Sequence, residues 1–197
     1  MPPITDIVKH LIILNVLVFI AYQTALANYM PDPALYWPQD ARFKPFQLVT
    51  HMFSHGSPRH LLFNMFGLYI FGSMVERAIG SQKFLKLYLL CGLGSLVAHI
   101  AIQYYMHFSY NQIRFLGAVG ASGAIMGVTI AYAVMFPNHK LMLLFPPIPI
   151  KAKYLAIAYV AMDLYSGMSG ADNGVANWAH LGGALTGFIL MRMWLKK

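Results

Sequence analysis

Two residues of this chain, a serine and a histidine, have the types and positions that nucleophilic catalysis requires. Ser122 immediately precedes the apolar stretch 123–136, and His180 lies early in an apolar run that ends at Arg192. A serine hydroxyl is a poor nucleophile until a base removes its proton, and a neutral imidazole is suited to that step. Polar side chains inside a membrane are costly and therefore indicate function. If both stretches cross a membrane, the sequence predicts a nucleophile and its base within it.

A second polar pair begins an earlier apolar segment. His60 and Asn64 are four residues apart, which places them on one face of a helix. Acyl transfer creates an oxyanion that needs hydrogen-bond donors, and both side chains can donate, as can the backbone N–H of Ser122 at a helix start. We expect His60, Asn64 and Ser122 to form an oxyanion hole. Asp163 lies on another helix and Asp172 in a loop, so no carboxylate is expected to orient His180, and a Ser-His dyad is predicted.

The composition is typical of a membrane protein. Hydrophobic residues make up 58% of the 197 residues and charged residues only 10%, which argues against a soluble domain. A transmembrane helix needs about 20 mostly apolar residues. The sequence predicts an all-α polytopic protein, a single membrane domain over 1–197, whose first span is retained rather than cleaved. Its six transmembrane helices are expected at about 8–27, 60–79, 82–105, 121–136, 152–169 and 175–195.

The basic residues predict the orientation. With the N-terminus in the cytoplasm, all but four of the fourteen basic residues lie on the inner side, which follows the positive-inside rule. Both termini are then cytoplasmic, and a bacterial inner membrane is the expected location. The net charge of +8 suits anionic inner-leaflet lipid. Because the charges are scattered over helix ends, they do not indicate nucleic-acid binding. The outer four are Arg42, Lys44, Arg59 and Arg114.

The candidate residues share one depth in this topology, because the second, fourth and sixth helices all enter from the outside. The stretch 122–136 measures about 22 Å as a helix, against about 30 Å of hydrocarbon. Ser122 is therefore expected below the outer surface, where water reaches it through a cavity. The outer connection 28–59, rich in proline and aromatic residues, is expected to lie in the headgroup region. The inner connection 137–151 contains prolines that exclude a helix.

Small residues predict which helices touch. Gly123 and Gly127 form one small-xxx-small face, and Gly183 and Gly187 form another. Such faces let membrane helices approach closely. The second pair follows His180 by three and seven residues, so it shares a face with the histidine. Contact between the two glycine faces is expected to bring the fourth and sixth helices together at the candidate dyad.

These motifs resemble those of the rhomboid intramembrane serine proteases, in the bacterial form with a six-helix core. The matching motifs are His60-x-x-x-Asn64, Gly120-Ala121-Ser122-Gly123 and Ala179-His180-x-x-Gly183-x-x-x-Gly187.

The resemblance implies a fold and an activity. It implies a rhomboid-type bundle with an interfacial first outer loop, in which Ser122 is the nucleophile, His180 the base, and His60 and Asn64 the oxyanion donors. It also implies cleavage of single-span membrane proteins near the outer membrane face, without metal or cofactor. Many members carry Trp-Arg in the first outer loop, where this chain has Phe46-Gln47.

Two other functions stay open. A catalytically inactive rhomboid-like protein that binds transmembrane segments is disfavoured by the intact Ser122 and His180. A small transporter that uses Asp163 and His99 is disfavoured because the sequence lacks repeats and paired interior charges. We expect Asp163 to hydrogen-bond a neighbouring helix or loop backbone, and Glu76 to be an interfacial anchor.

A metal site is disfavoured by the histidine spacing. His51 and His55 lack the His-Glu-x-x-His pattern of a metalloprotease, since Met52 follows the first histidine. Histidines that stabilise the loop are the favoured interpretation. The single cysteine, Cys91, is expected to pack inside the third helix.

Overall fold

The computed structural model of the protein describes residues 3–110, 120–142, 147–169 and 177–196. Arg114 and Asp172 lie outside these residues. The described chain is mostly helical: α1 (Asp6–Tyr22), α2 (Gln47–Thr50), α3 (Pro58–Gly67), α4 (Ser73–Ile79), α5 (Ser81–Tyr110), α6 (Ser122–Met135), α7 (Ala152–Ser169) and α8 (Asn177–Trp194). Short 3₁₀ turns span Ala25–Tyr29 and His51–Phe53, a π-helical turn over Leu68–Gly72 joins α3 to α4, and two strands are β1 (Lys140–Met142) and β2 (Pro149–Lys151).

Helices occupy the described parts of all six apolar segments, with different ends. α1 stops at Tyr22 rather than near residue 27, because Thr24 is extended and its hydroxyl accepts the Leu26 N–H to cap the following turn. α5 runs on to Tyr110 instead of ending near 105. The predicted start of the last helix at 175 lies outside the described residues.

Length and mean hydropathy single out one membrane-crossing candidate in the described ranges. Ser81–Tyr105 has 25 residues and a mean hydropathy of 1.8, whereas Ser122–Met135 is a shorter apolar helix. Six crossings therefore stay a prediction. Large apolar side chains nevertheless face outward on several helices, including Leu17, Ile157, Met162 and Leu185, each 59–65% exposed. Such exposure is unusual on a soluble monomer and suits contact with lipid.

α6 forms the centre of the fold. It packs against α3, α4, α5, α7 and α8, and most of its side chains are buried, including Val128, Ala131 and Tyr132. The opposite end of α6 from Ser122 leads into the β1–β2 pair, which is antiparallel with Lys140 opposite Lys151. The exclusion of a helix from the described part of 137–151 is confirmed, since strands and turns occupy it.

Glu76 is buried and does not anchor the protein at an interface as predicted. It is 3% exposed. Its carboxylate accepts hydrogen bonds from the Thr5 hydroxyl at 2.5 Å, the Ile7 and Val8 amides at 3.1 and 3.0 Å, and the Ser81 hydroxyl at 2.7 Å. The first amides of a helix have no acceptor within the helix and favour negative charge. Glu76 therefore ties the starts of α1 and α5 to α4.

Gln47 organises the first long connection. Its side chain is 1% exposed. The amide nitrogen donates to the carbonyls of Asp32 and Arg42, each at 3.1 Å, and the amide oxygen accepts from the Lys44 N–H at 3.1 Å and the Tyr36 N–H at 3.5 Å. A buried amide with this many partners is well satisfied. A neutral glutamine thus holds this loop together.

Candidate active site

Ser122 and His180 are in direct contact. Ser122 is the first residue of α6 and His180 lies in the first turn of α8. The His180 Nε2 atom is 2.8 Å from the Ser122 Oγ atom, and the imidazole is 14% exposed. This distance lets Nε2 accept the hydroxyl proton. The structure thus brings together the two residues that the sequence predicts as nucleophile and base.

Contacts between glycine backbones set the separation of α6 and α8. A Cβ atom at Gly183 would lie 1.9 Å from the Gly123 carbonyl oxygen, and one at Gly187 would lie 2.3 Å from the Gly127 carbonyl oxygen. Real Cβ atoms essentially never come closer than 3.0 Å, so neither position of α8 tolerates a side chain. Both contacts have the same sequence offset, so the two helices run parallel.

α5 also packs against the glycines of α6, a contact that the sequence analysis did not predict. A Cβ atom at Gly123 would lie 2.0 Å from the Ser95 hydroxyl oxygen, and one at Gly127 would lie 2.3 Å from the Cys91 sulfur. Cys91 is fully buried there. The glycines of α6 therefore admit two neighbouring helices, and the three helices form one tightly packed unit beneath Ser122.

His60 and Asn64 lie against the turn that leads into Ser122. Gly120 has φ +121°, and a Cβ atom there would lie 2.6 Å from His60 Cε1 and 3.8 Å from Asn64 Nδ2. A positive φ of this kind favours glycine. The Asn64 Nδ2 atom is buried and has no acceptor among the described residues. A buried amide donor without an acceptor calls for an explanation, and a transient oxyanion is one.

His51 and His55 support this corner. The His51 ring nitrogen Nδ1 is 2.9 Å from the Gln47 carbonyl oxygen. His55 packs edge-on against His60 with ring centroids 5.0 Å apart, and burial, followed by the nearby His60, lowers the pKa of His55 to about 4. His55 is thus neutral at pH 7. Within the described residues, no three His, Cys, Asp or Glu side chains are grouped to hold a metal ion.

Asp163 lies beside the other nitrogen of His180. Its Oδ1 atom is 3.2 Å from His180 Nδ1, and the residue is 9% exposed. The prediction that no carboxylate is in position to orient His180 is therefore wrong. The expected hydrogen bond to a neighbouring helix exists, but its partner is the candidate base.

The positions of the two residues along α7 and α8 explain this contact. Asp163 precedes the end of α7 by six residues, and His180 follows the start of α8 by three. Consecutive helices joined by a short connection pack antiparallel, and both residues lie within two turns of that connection, so they can come together. Gly167, one turn after Asp163, lies close to Trp178, two residues before His180: a Cβ atom at Gly167 would lie 3.1 Å from the indole.

Comparison with known proteins identifies the relatives of this chain. The family model for the Rhomboid domain matches residues 42–197. The chain is 32% identical over 151 residues to Rhomboid protease AarA of Providencia stuartii, covering 71% of this chain and 52% of that protein. It is 32% identical over 189 residues to RHOMBOID-like protein 12, mitochondrial, of Arabidopsis thaliana, covering 91% and 55%. The chain thus spans about half the length of these two relatives.

A further relative is similar over most of its own length. Rhomboid protease GlpG of Haemophilus influenzae is 28% identical over 179 residues, which cover 89% of this chain and 84% of that protein. The relatives therefore include proteins named as proteases and one named only as rhomboid-like.

Proposed function

The chain belongs to the rhomboid family, and from this membership we propose that it is an intramembrane serine endopeptidase. It cleaves transmembrane segments of single-span membrane proteins near the outer membrane face, without metal or cofactor. The observation that carries the proposal is the 2.8 Å contact between Ser122 Oγ and His180 Nε2. A protein that merely bound transmembrane segments would have no need of this contact.

The proposed reaction is acyl transfer by a serine and a histidine. As the Ser122 oxygen bonds to the scissile carbonyl carbon, its proton passes to His180 Nε2 and the carbonyl electrons move to the oxygen. The imidazolium then gives that proton to the leaving amine as the C–N bond breaks. Water hydrolyses the resulting acyl-enzyme by the same two steps, with His180 again acting as base and then as acid.

The oxyanion is held by three donors in this proposal. They are the Asn64 side-chain amide, the His60 ring and the backbone N–H of Ser122. The unpartnered, buried Asn64 Nδ2 supports the assignment, as does the position of both side chains against Gly120. Donors fixed before the reaction stabilise developing charge without reorganisation.

The proposed setting is a bacterial inner membrane that the chain crosses six times. The crossings are α1, the α3–α4 unit, α5, α6, α7 and α8, with both termini in the cytoplasm and residues 28–59 at the outer interface. The exposed apolar side chains support this arrangement, and so does the distribution of basic residues. Substrates then reach the site from lipid, and water reaches it from outside.

A covalent serine-hydrolase probe and a cleavage assay test the proposal together. The purified protein in detergent should react with a fluorophosphonate at Ser122 and cleave members of a panel of single-span substrates. Ser122→Ala should lose both properties yet keep its melting temperature, because it removes one oxygen. Ser95→Ala is the matched control, since it deletes a buried hydroxyl beside the same Gly123, and it should stay active. A folded wild-type protein that neither reacts nor cleaves would favour an inactive transmembrane-segment binder.

A further inference from the structure

We propose that Asp163 is a positioning residue for His180: its carboxylate accepts the Nδ1–H of the imidazole and thereby directs the unprotonated Nε2 at Ser122. This inference rests on the proposed proteolytic function. It changes the candidate site from a pair of residues on α6 and α8 to a chain of three that includes α7.

The geometry places the imidazole between two oxygen atoms. His180 Nδ1 is 3.2 Å from Asp163 Oδ1, and His180 Nε2 is 2.8 Å from Ser122 Oγ. A neutral imidazole carries one N–H, and an ionised carboxylate can only accept a hydrogen bond. With the imidazole neutral and the carboxylate ionised, the hydrogen resides on Nδ1, which leaves Nε2 as the acceptor for the serine proton. Without the carboxylate, the ring could adopt the other tautomer or rotate.

The burial of Asp163 supports a specific role. Its side chain is 12% exposed and that of His180 is 14% exposed, so the contact is largely shielded from water. Burying a carboxylate is costly unless hydrogen bonds compensate, and His180 provides such a bond here. The adjacent contact between Gly167 and the Trp178 indole holds α7 against α8 without involving the side chain of Asp163 or of His180. Packing of the two helices therefore does not by itself call for an acid at 163.

Asp163 acts while the proton moves from Ser122 to His180. When the Ser122 O–H bond breaks and an N–H bond forms at Nε2, the ring becomes a cation that keeps its Nδ1 hydrogen. The Asp163 carboxylate then faces this positive charge at close range and stabilises it, while no proton passes to the aspartate. Asp163 thus acts through His180 and does not touch the substrate.

Asp163→Asn tests the role because it preserves shape and removes the charge. In the Ser-His-Asp template the same change lowers kcat about 10⁴-fold. The 3.2 Å contact here is longer than the roughly 2.7–2.9 Å of strong charge-assisted bonds, so a smaller loss is appropriate. We expect kcat to fall about 10²-fold, with KM and melting temperature close to wild type. Gly167→Ala, which perturbs the α7–α8 contact alone, should keep kcat.

A spectroscopic measurement on the unmutated protein makes the inference independent of how the variant folds. With ¹⁵N-labelled histidine, the His180 resonances, identified by their loss in His180→Gln, should report a protonated Nδ1 and a bare Nε2. In Asp163→Asn the tautomer ratio should shift toward protonated Nε2. A wild-type ring protonated on Nε2 would overturn the inference.

The two proposals fail in different ways. If wild type cleaves, Ser122→Ala does not, and Asp163→Asn keeps kcat within about threefold, the positioning role is wrong and the protease stands. If Ser122→Ala still cleaves, the proposed function itself is wrong, whatever Asp163 does. If Asp163→Asn loses activity only through a lowered melting temperature while the tautomer is unchanged, Asp163 is a structural tie between α7 and α8.

Discussion

Gly183→Ala should inactivate the protein although Gly183 carries no functional group. The new Cβ atom would lie 1.9 Å from the Gly123 carbonyl oxygen, and it must reach at least 3.0 Å, so α8 has to move by about 1.1 Å. If that movement reaches the site, the 2.8 Å Ser122–His180 contact lengthens to about 3.9 Å, beyond hydrogen-bonding range. Misplacement of about 1 Å can cost roughly 10²-fold in rate, and we expect kcat/KM to fall by about that factor.

Gly183→Ala should also destabilise the protein, which is the opposite of the usual effect of this substitution in a helix. In an ordinary helix, Gly→Ala stabilises by about 1 kcal/mol, because alanine has the higher helix propensity. At Gly183 the clash with the carbonyl should reverse that sign and lower the melting temperature. Gly67→Ala is the matched control, because its Cβ would meet only the γ2-methyl group of Ile125, at 3.2 Å. It should melt closer to the wild-type temperature than Gly183→Ala does, and it should stay active.

Three measurements on detergent-purified protein test the effect of Gly183→Ala: the steady-state kcat/KM, the rate of fluorophosphonate labelling at Ser122, and thermal melting. The labelling rate isolates activation of the serine from substrate binding. A folded Gly183→Ala protein that cleaves and labels at the wild-type rate would show that the glycine contact does not set the Ser122–His180 distance.

Further predictions concern the donors, the loop anchor, the α1 cap and metal. Asn64→Ala should lower kcat about 10²–10³-fold at similar KM, and an unchanged kcat would rule out its oxyanion role. Gln47→Leu should lower the melting temperature and speed proteolysis of residues 30–46, because it removes the side-chain partner of four part-buried backbone groups; unaltered digestion would contradict this. Glu76→Ala should lower the melting temperature by removing the acceptor for the Ile7 and Val8 amides, which a full melting curve checks. EDTA should leave cleavage unchanged, and a metal requirement would contradict the proposed dyad.

The sequence predicted features that depend on periodic patterns. The helix positions follow from runs of apolar residues, and the spacing of Gly183 and Gly187 relative to His180 correctly placed α8 against α6. The same reasoning failed where one polar residue finds its partner on another element. The carboxylates of Asp163 and Glu76 each accept hydrogen bonds from a different helix. Which helix packs beside each carboxylate depends on the tertiary structure, and no local sequence pattern predicts it.

Backbone details were also beyond the sequence patterns. The end of α1 depends on the extended conformation of Thr24, and the register between α3 and α4 depends on a π-helical turn at Leu68–Gly72. Both segments are apolar enough to read as uninterrupted helix. Gln47 illustrates a different difficulty, since its type does not reveal that four backbone groups converge on it.

The carboxylate of Glu76 has a consequence for the order in which the chain is assembled. It binds Thr5, which lies 71 residues earlier in the chain. At about 5–20 residues per second of synthesis, the two partners emerge roughly 4–14 seconds apart. During that interval the first amides of α1 have to be satisfied by water or lipid headgroups. The start of α1 therefore gains its carboxylate acceptor only once α4 has been made, and a ribosome stalled before residue 76 would leave the Ile7 and Val8 amides without it.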